Sequence, residues 1–353
     1  MRECGSATEP VVASACCPLY PVPCPLKAFY TDRFVLPLPP GHRFPMVKYR
    51  RVRERCLEEG IIAPADLAEP PAAAWDELAL AHDRAYLDAV REGALPPLAQ
   101  RRIGFPWSPE MVERSRRSAG ATIAASRVAL AEAAERGWGV AANLAGGTHH
   151  AGPDHGEGFC VFNDAAVAAR VLQREGVVRR IAIIDCDVHQ GNGTAAIFAR
   201  DPTVFTFSIH GARNFPFRKE RGSLDVDLPD GAEDDAFLAA LELHLPHVLD
   251  DFRPELAIYL AGADPWRDDR FGRLGMTKEG LAERDRYVLH LLRDAGVPTA
   301  IAMAGGYARD TEDTVDIHVT TLRIAAAMHR QNGRSHTEPP SPSGQTRPRV
   351  DLR

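Results

Sequence analysis

The chain has 353 residues, of which 42 are Lys or Arg and 48 are Asp or Glu, so its formal net charge is −6. A content of 45% hydrophobic and 25% charged residues is typical of a globular protein and excludes a wholly disordered or collagen-like chain. The acidic balance offers no global attraction for nucleic acid, and no apolar run approaches the roughly 20 residues of a membrane span.

The two ends of the chain differ in composition from its middle. The first 26 residues contain four of the seven cysteines, but they show neither the basic region nor the apolar core of an export signal. An odd number of cysteines does not suggest a disulfide framework, so we expect a reduced, cytoplasmic protein. Residues 331–353 are rich in proline and lack apolar periodicity. The sequence therefore predicts one domain at 27–330 between disordered segments at 1–26 and 331–353.

Helical and strand-like segments alternate along this domain. Ser108 supplies an N-cap and Pro109 a first turn for a helix predicted at 110–136, and further helices are predicted at 165–175 and 278–295. Short apolar runs occur at 140–144, 181–184, 204–209, 256–260 and 299–302. This alternation predicts an α/β fold with a mainly parallel sheet, and the near-continuous apolar runs fit strands covered on both faces.

Polar residues accompany the end of each of the five apolar runs. The polar segments are 146–150, 185–189, 208–210, 261–265 and 305–307. In open α/β sheets, ligands bind outside the carboxyl ends of the strands. We therefore expect the five segments to meet at one pocket.

One of these segments carries metal-binding side chains. Asp185, Asp187 and His189 are spaced by two, so in an extended segment they lie on one face. Carboxylates and imidazoles are both zinc ligands, and three protein ligands with an open position are typical of a catalytic zinc. We assign Asp187, His189 and Asp264 as the three metal ligands. Asp185 would not contact the metal but would orient a histidine. The alternative is a loop of turn-forming residues with a histidine satisfied by hydrogen bonds.

Two adjacent histidines, His149 and His150, follow a Gly-Gly-Thr segment. Beside a carboxylate-rich metal site, two imidazoles indicate general acid–base chemistry on water. Their far nitrogens need partners, for which Asp185 and Asn192 are candidates. Tyr307 follows two glycines, and its hydroxyl is a candidate donor to an oxyanion. The alternatives are ordinary polar loop residues for the histidines and a core residue for the tyrosine.

With these motifs assembled, the chain resembles the zinc-dependent histone deacetylase family over roughly residues 27–328. The motifs that carry the resemblance are GTHHA at 147–151, GFCVFND at 158–164, DCDVHQGNG at 185–193, GADP at 262–265 and GGY at 305–307. Three further segments, GHRFPM at 41–46, IGFPW at 103–107 and DRFGRL at 269–274, resemble the class IV branch and its bacterial relatives. The resemblance implies a single-domain, three-layer arginase/deacetylase-type fold with a mainly parallel sheet of about eight strands.

The resemblance also implies roles for individual residues. Asp187, His189 and Asp264 match the zinc ligands of the family. His150 matches the main proton shuttle, which takes a proton from water and returns it to the leaving amine. Tyr307 matches the carbonyl-polarising tyrosine, whose hydroxyl stabilises the oxyanion.

The hydrogen-bond partners of the two histidines indicate the class within the family. His149 matches an electrostatic helper of the proton shuttle, and Asp185 matches its acidic partner. At the partner position of His150 this chain has Asn192, where class I members carry Asp and class II and IV members carry Asn. A neutral partner supports the class IV assignment and lowers the expected pKa of His150.

Other residues match the substrate channel and a second cation site. Gly158 and Phe159 match the wall of an acyl-lysine channel, Phe215 is the candidate facing aromatic, and Arg43 matches an arginine near an internal product-exit cavity. The resemblance further implies a structural potassium ion. Its ligands would be Ser208 and the backbone oxygens of Asp185, Asp187, His189 and Ile209.

The implied activity is zinc-dependent hydrolysis of the amide of an N-ε-acyl-lysine, acetyl or longer, in a peptide or protein. The main alternative is a deacylase of small acylated amines such as acetylpolyamines. Such a polycation needs acidic residues at the pocket rim. Asp268 and Asp269 are available, but Arg267, Arg270 and Arg273 surround them, which favours a neutral or lipophilic acyl substrate.

Two more classes of protein are compatible with the same type of fold. An arginase-like binuclear manganese enzyme needs extra carboxylates beside Asp264, but Gly262 and Leu260 stand two and four residues before it. An inactive binding module would lack catalytic residues, whereas every catalytic residue expected from the family is present.

Overall fold

Eight parallel strands form one sheet in the computed structural model, which describes residues 26–335. The strands are β1 (Lys27–Phe29), β2 (Leu67–Ala68), β3 (Val140–Asn143), β4 (Ile181–Asp185), β5 (Val204–Gly211), β6 (Leu224–Leu228), β7 (Leu256–Leu260) and β8 (Thr299–Ala302). Their order across the sheet is β2-β1-β3-β8-β7-β4-β5-β6. Every neighbouring pair is parallel. The predicted α/β class and sheet are confirmed.

Helices cover both faces of this sheet. They are α1 (Val47–Glu58), α2 (Trp75–Leu78), α3 (Arg84–Glu92), α4 (Pro97–Ile103), α5 (Pro109–Arg136), α6 (Asp164–Arg174), α7 (Asn192–Phe198), α8 (Asp234–His247), α9 (Lys278–Asp294) and α10 (Thr311–Ser335). Alternate strand residues enter two different cores: Ala182 and Ile184 of β4 pack with α1, α8, α9 and α10, whereas Ile181 and Ile183 pack with α3, α5 and α6. A strand covered on both faces is apolar throughout, as the sequence predicted.

Local capping sets the ends of the long helix α5. The Ser108 hydroxyl accepts the N–H of Met111 at 3.1 Å, and Pro109 occupies the first turn. The helix ends at Gly137, whose φ of 78° is the left-handed conformation that glycine adopts most readily. The predicted helix over 110–136 is confirmed, and α6 and α9 also match their predictions to within one residue.

Two strand boundaries differ from the prediction for local reasons. Strand β3 ends at Asn143 because the side-chain oxygen of Asn143 accepts the N–H of Ala145 at 2.9 Å and turns the chain. Strand β5 continues to Gly211 because His210 and Gly211 pair with β6. Strand β6 was not predicted from the sequence, so the predicted end of β5 came too early.

The structure describes the chain on both sides of each predicted domain boundary, and the division into domains stays a prediction. Helix α10 continues to Ser335, beyond the predicted end of the domain at 330, because the first helix-breaking proline of the segment, Pro339, comes later. At the other end Leu26 is already buried in the core. The remainder of both predicted tails, including the four N-terminal cysteines, lies outside the described residues. No helix within 26–335 is long and apolar enough to cross a bilayer.

The strand order decides where the site lies. The five strands that precede polar segments are β3, β8, β7, β4 and β5, and they are consecutive neighbours in the sheet. Because all are parallel, their carboxyl ends lie side by side at one edge. The fold therefore gathers the segments that the sequence places far apart.

Candidate active site

Three side chains that could hold a metal ion converge at the carboxyl ends of β4 and β7. Asp187, His189 and Asp264 each offer one ligand atom, and these buried atoms lie within 4.8 Å of one another. The Nδ1 atom of His189 lies 3.0 Å from Asp187 Oδ1 and 3.2 Å from Asp264 Oδ2. A tetrahedral ion with bonds of about 2.0–2.2 Å holds its ligands roughly 3.4 Å apart, so the spacing fits a metal ion.

Backbone amides orient both carboxylates. Asp187 Oδ1 accepts the N–H of His189 at 2.9 Å, and Asp187 Oδ2 accepts the N–H of Gly305 at 2.8 Å. Asp264 Oδ1 accepts the N–H of Val188 at 2.9 Å, whereas its Oδ2 is buried and makes no hydrogen bond with the described residues. A buried carboxylate oxygen without a donor is costly, and a cation held by the three side chains would satisfy it.

The electrostatics of the group fit a bound cation as well. Burial and the negative charge of Asp187 raise the pKa of Asp264 to about 7. Burial opposes the charged form of His189, but its hydrogen bond with Asp187 and the negative charges of Asp187 and Asp264 outweigh burial and raise its pKa to about 10. Both shifts arise because two buried carboxylates lie close together, and a divalent cation would be stabilised by the same negative charge.

A glycine is required where the chain passes these ligands after β8. A Cβ atom at Gly305 would lie 2.0 Å from Asp264 Oδ2 and 2.6 Å from Asp187 Oδ2. Any side chain there would occupy the space between the carboxylates. Glycine lets the backbone N–H reach Asp187 and leaves room for an ion.

The two predicted histidines lie beside the metal-binding group, with ring centroids 4.1 Å apart. His149 Nδ1 donates to Asp185 Oδ2 at 2.7 Å, and His150 Nδ1 lies 2.6 Å from Asn192 Oδ1. An amide oxygen only accepts, so His150 carries its proton on Nδ1. Its Nε2 therefore keeps a free lone pair, as a general base requires.

The environments of the two histidines give them different charges. Burial disfavours the charged form of His149, but the charges of Asp185 and Asp187 outweigh burial and raise its pKa to about 9. Burial and the neighbouring charges of His149 and His189 hold the pKa of His150 well below its usual 6.5. At neutral pH the pair consists of a cation and a neutral base.

Tyr307 faces the same space from the segment after β8. Its backbone N–H donates to Asp269 Oδ2 at 2.5 Å, and Asp269 is itself held by two backbone amides. Burial raises the pKa of Tyr307 well above 10, so the hydroxyl stays protonated and can donate. The hydroxyl makes no hydrogen bond with the described residues, which leaves it available to a ligand.

A pocket of about 630 Å³ leads from the surface to these side chains, and the predicted channel residues line it. A Cβ atom at Gly158 would lie 2.7 Å from His150 Cδ2 and 3.3 Å from the Phe215 ring, so only glycine fits this wall. Phe159 follows it with a φ of 67°. Phe215 packs edge-on against His150, with ring centroids 4.9 Å apart.

Arg43 lines the same pocket, but its side chain is exposed rather than enclosed in an internal cavity.

A buried lysine, Lys48, lies behind Tyr307. It is 1% exposed and donates to the Gly306 carbonyl at 3.1 Å. Lys48 lies on the buried stripe of α1 together with Tyr49. Lys48 was not singled out from the sequence, because lysine is rarely buried without an acidic partner.

The residues predicted to hold potassium lie on neighbouring strands and the loop between them. Asp185 of β4 pairs with Ser208 of β5, and a void of about 10 Å³ lies beside both. The Ser208 hydroxyl lies 2.9 Å from His210 Nδ1. A void of this size admits a single water or ion, and its occupant stays a prediction.

Two further residues that hold the site were not singled out from the sequence. Asp164 accepts the N–H of Gly147 at 3.1 Å and so fixes the segment that leads to the histidine pair. Arg284 donates to the carbonyls of Cys186 at 3.2 Å and Gly262 at 2.6 Å. A helix-capping pattern could have indicated Asp164, but nothing in the sequence marks Arg284 as buried.

The same architecture occurs in solved structures, among them that of an HDAC homologue. An HDAC homologue from Aquifex aeolicus has a TM-score of 0.72, with 86% of this chain and 84% of that chain covered at 23% identity. The HD domain of HDA15 has a TM-score of 0.69, with 87% of this chain and 94% of that chain covered at 21% identity. These likenesses define the fold as the deacetylase type of α/β fold.

Sequence comparison defines the family. The histone deacetylase domain matches residues 42–322. An uncharacterized protein of Picosynechococcus sp. is 46% identical over 302 residues, which are 85% of this chain and 98% of the relative. The acetoin utilization protein AcuC of Staphylococcus aureus (strain MRSA252) is 30% identical, with 75% of this chain and 72% of AcuC covered. The chain belongs to the histone deacetylase family, and it is a hydrolase of the deacetylase type.

Proposed function

We propose that this enzyme hydrolyses the amide of an N-ε-acyl-lysine with zinc as its metal, and releases lysine and a carboxylate. The observation that carries the proposal is the buried group of Asp187, His189 and Asp264 at the base of a pocket that His150 and Tyr307 also line. Two carboxylates and an imidazole with an open position form a donor set typical of catalytic zinc.

The residues around the three candidate metal ligands would each perform a different step of the hydrolysis. A bound zinc ion supplies Lewis acidity and lowers the pKa of water. His150, with Nε2 unprotonated, takes a proton from the attacking water and returns it to the leaving amine. The Tyr307 hydroxyl donates a hydrogen bond to the developing oxyanion. His149, held by Asp185 at 2.7 Å, adds a positive charge next to the reacting atoms.

The shape of the pocket supports an acyl-lysine substrate. Its volume of about 630 Å³ lies within the range of small-molecule sites. Five phenylalanines line it: Phe44, Phe159, Phe215, Phe217 and Phe271. Aromatic walls suit the methylene stem of lysine and an apolar acyl group, acetyl or longer. Small acylated amines such as acetylpolyamines are the alternative substrates, but arginines at the pocket mouth disfavour a polycation.

The test is amide hydrolysis by zinc-loaded protein. Peptides with ε-acyl-lysine from acetyl to myristoyl should be compared with acetylated polyamines. We expect turnover of the peptides, with a chain-length optimum that reports the depth of the pocket. The Asp264→Ala variant should contain no zinc by elemental analysis and should be inactive, because one of three ligands is lost.

Asp268→Ala is the matched control, because Asp268 is an exposed carboxylate on the same loop. It should keep its zinc and its activity. Turnover of the polyamines alone would replace the lysine substrate by a small-molecule substrate. No turnover of any compound by zinc-loaded protein would contradict the proposal.

Three finer assignments accompany this proposal. Asn192 as the neutral partner of His150 supports placement in class IV. The void beside Asp185 and Ser208 supports a structural potassium ion. Three free, buried cysteines, Cys56, Cys160 and Cys186, support a reducing, cytoplasmic location.

A further inference from the structure

Positive charge is concentrated at the mouth of the pocket. Five exposed arginines line it: Arg43, Arg102, Arg213, Arg270 and Arg273. They come from four separate segments, namely the loop before α1, the end of α4, the loop after β5 and the loop after β7. Apart from the two metal-ligand candidates, Glu157 is the only carboxylate that lines the pocket within the described residues. This mouth is strongly basic although the chain has a net charge of −6.

Three of the five arginines have no acidic partner among residues 26–335, although Arg270 donates to the Ala308 carbonyl at 3.1 Å. Arg102 pairs with Glu157 at 2.7 Å, and Arg273 pairs with Asp230 at 3.2 Å. The other three arginines form no ion pair with an acidic side chain in the part of the chain that is described. Exposed guanidinium groups at a concave opening attract anions and raise the rate of encounter with them.

Building on the proposed lysine deacylase activity, we infer that the mouth selects acyl-lysines flanked by acidic residues in a polypeptide. A polypeptide fits better than a small anion because the arginines come from four segments around the opening. Residues on both sides of the acyl-lysine would then each meet a guanidinium group. Phe217 is 86% exposed at this mouth, with its ring centroid 6.2 Å from that of Phe215, and it offers apolar contact to the same chain.

The test compares three peptides that share one central acyl-lysine and carry Glu, Ser or Lys at the flanking positions. We expect kcat/KM to be about tenfold higher for the Glu peptide than for the Ser peptide, and lowest for the Lys peptide, mainly through KM. Raising the ionic strength to about 0.5 M should remove most of the difference, because exposed charges are screened. Fluorescence anisotropy of labelled peptides measures the same preference without turnover.

Charge reversal at the mouth provides the matched variants. Arg213→Glu should reduce the preference for the Glu peptide by about threefold or more. Arg174→Glu makes the same change in net charge at the far end of α6, where the arginine is exposed and away from the pocket. This control should keep the preference of the wild-type protein.

Each result separates this inference from the activity on which it rests. Equal hydrolysis and equal binding of the three peptides would overturn the inference and leave the deacylase activity in place. An equal loss of preference in Arg174→Glu would also overturn it, since net charge rather than the mouth would be responsible. If no peptide is hydrolysed, the proposed function fails, and the anisotropy data still decide whether the mouth prefers acidic chains.

Discussion

The buried residue Lys48 positions Tyr307 and takes no direct part in the proposed reaction. Its Nζ donates to the carbonyl of Gly306 at 3.1 Å and lies 5.0 Å from the centroid of the Tyr307 ring. It also lies 5.2 Å from the centroid of the Tyr49 ring. A backbone carbonyl and aromatic faces therefore hold the ammonium in place of a carboxylate. These contacts fix both the backbone before Tyr307 and the position of its ring.

Lys48→Met should therefore lower kcat by roughly 10–100-fold with a small change in KM, because a misplaced hydroxyl stabilises the oxyanion poorly. The measurement is steady-state kinetics in the wild-type and Tyr307→Phe backgrounds. In Tyr307→Phe the further loss should be small, since the hydroxyl is already absent. Lys48→Arg should restore part of the activity. An equal loss in both backgrounds would show that Lys48 does not act through Tyr307.

At the scale of elements, helix α9 connects the two segments that carry the candidate metal ligands. Arg284 donates to the carbonyls of Cys186 and Gly262, in the segments that follow β4 and β7. Its ion pair with Asp285 measures 2.8 Å, and both side chains are at most 1% exposed. Hydroxyl groups of Tyr259 and Thr321 also donate to Asp285 at 2.5 Å. One helix residue thus sets the separation of the two ligand-bearing segments.

Arg284→Lys should keep the buried charge but lose the forked geometry of the guanidinium. We expect zinc affinity to fall about 10–100-fold, as for other residues that orient metal ligands. Chelator competition measures the affinity, and urea unfolding measures the accompanying loss of stability. Arg286→Lys, an exposed site on the same helix, is the control. Wild-type zinc affinity in Arg284→Lys would contradict this role.

The stability of the whole molecule depends on a buried neutral histidine that joins distant segments. His82 Nδ1 donates to the Gly152 carbonyl at 2.8 Å, and His82 Nε2 accepts the N–H of Asn163 at 2.9 Å. Both ring nitrogens are satisfied only in the neutral form, since a proton on Nε2 would face the amide proton of Asn163. Burial lowers the pKa of His82 to about 4.

Unfolding free energy should therefore fall as pH drops from about 6.5 to about 4, because the unfolded chain binds a proton that native His82 does not accept. Above this window the titration of His82 costs no stability, and below it the full loss is about 3 kcal/mol. Urea unfolding at pH 7.5 and pH 5 measures it. His82→Asn should be less stable at pH 7.5 and show a smaller difference between the two pH values. An unchanged difference would assign the pH dependence to other groups.

The site residues that could be predicted are those whose positions follow from their spacing within a few residues of the sequence. Asp187 and His189 are two apart and directly follow an apolar run, so their shared face and their place at a strand end follow from the sequence. The helix that begins after Ser108 was predictable for the same reason, since its cap is local. Strand β6 was missed although Leu224, Val226 and Leu228 alternate with two aspartates, because strands were predicted from continuous apolar runs and this strand is only partly buried.

The sequence by itself determined the fold class, the chemical types in the site and the family, because strand and helix periodicity and motif spacing are local properties of the chain. Tertiary structure alone decided that Lys48 and Arg284 are buried and that Arg43 is exposed. It also decided that five arginines share one pocket mouth. The sequence does not show whether a charged side chain is exposed to water or contacts a carbonyl or an aromatic ring. Its surroundings depend on how segments distant in the sequence pack together.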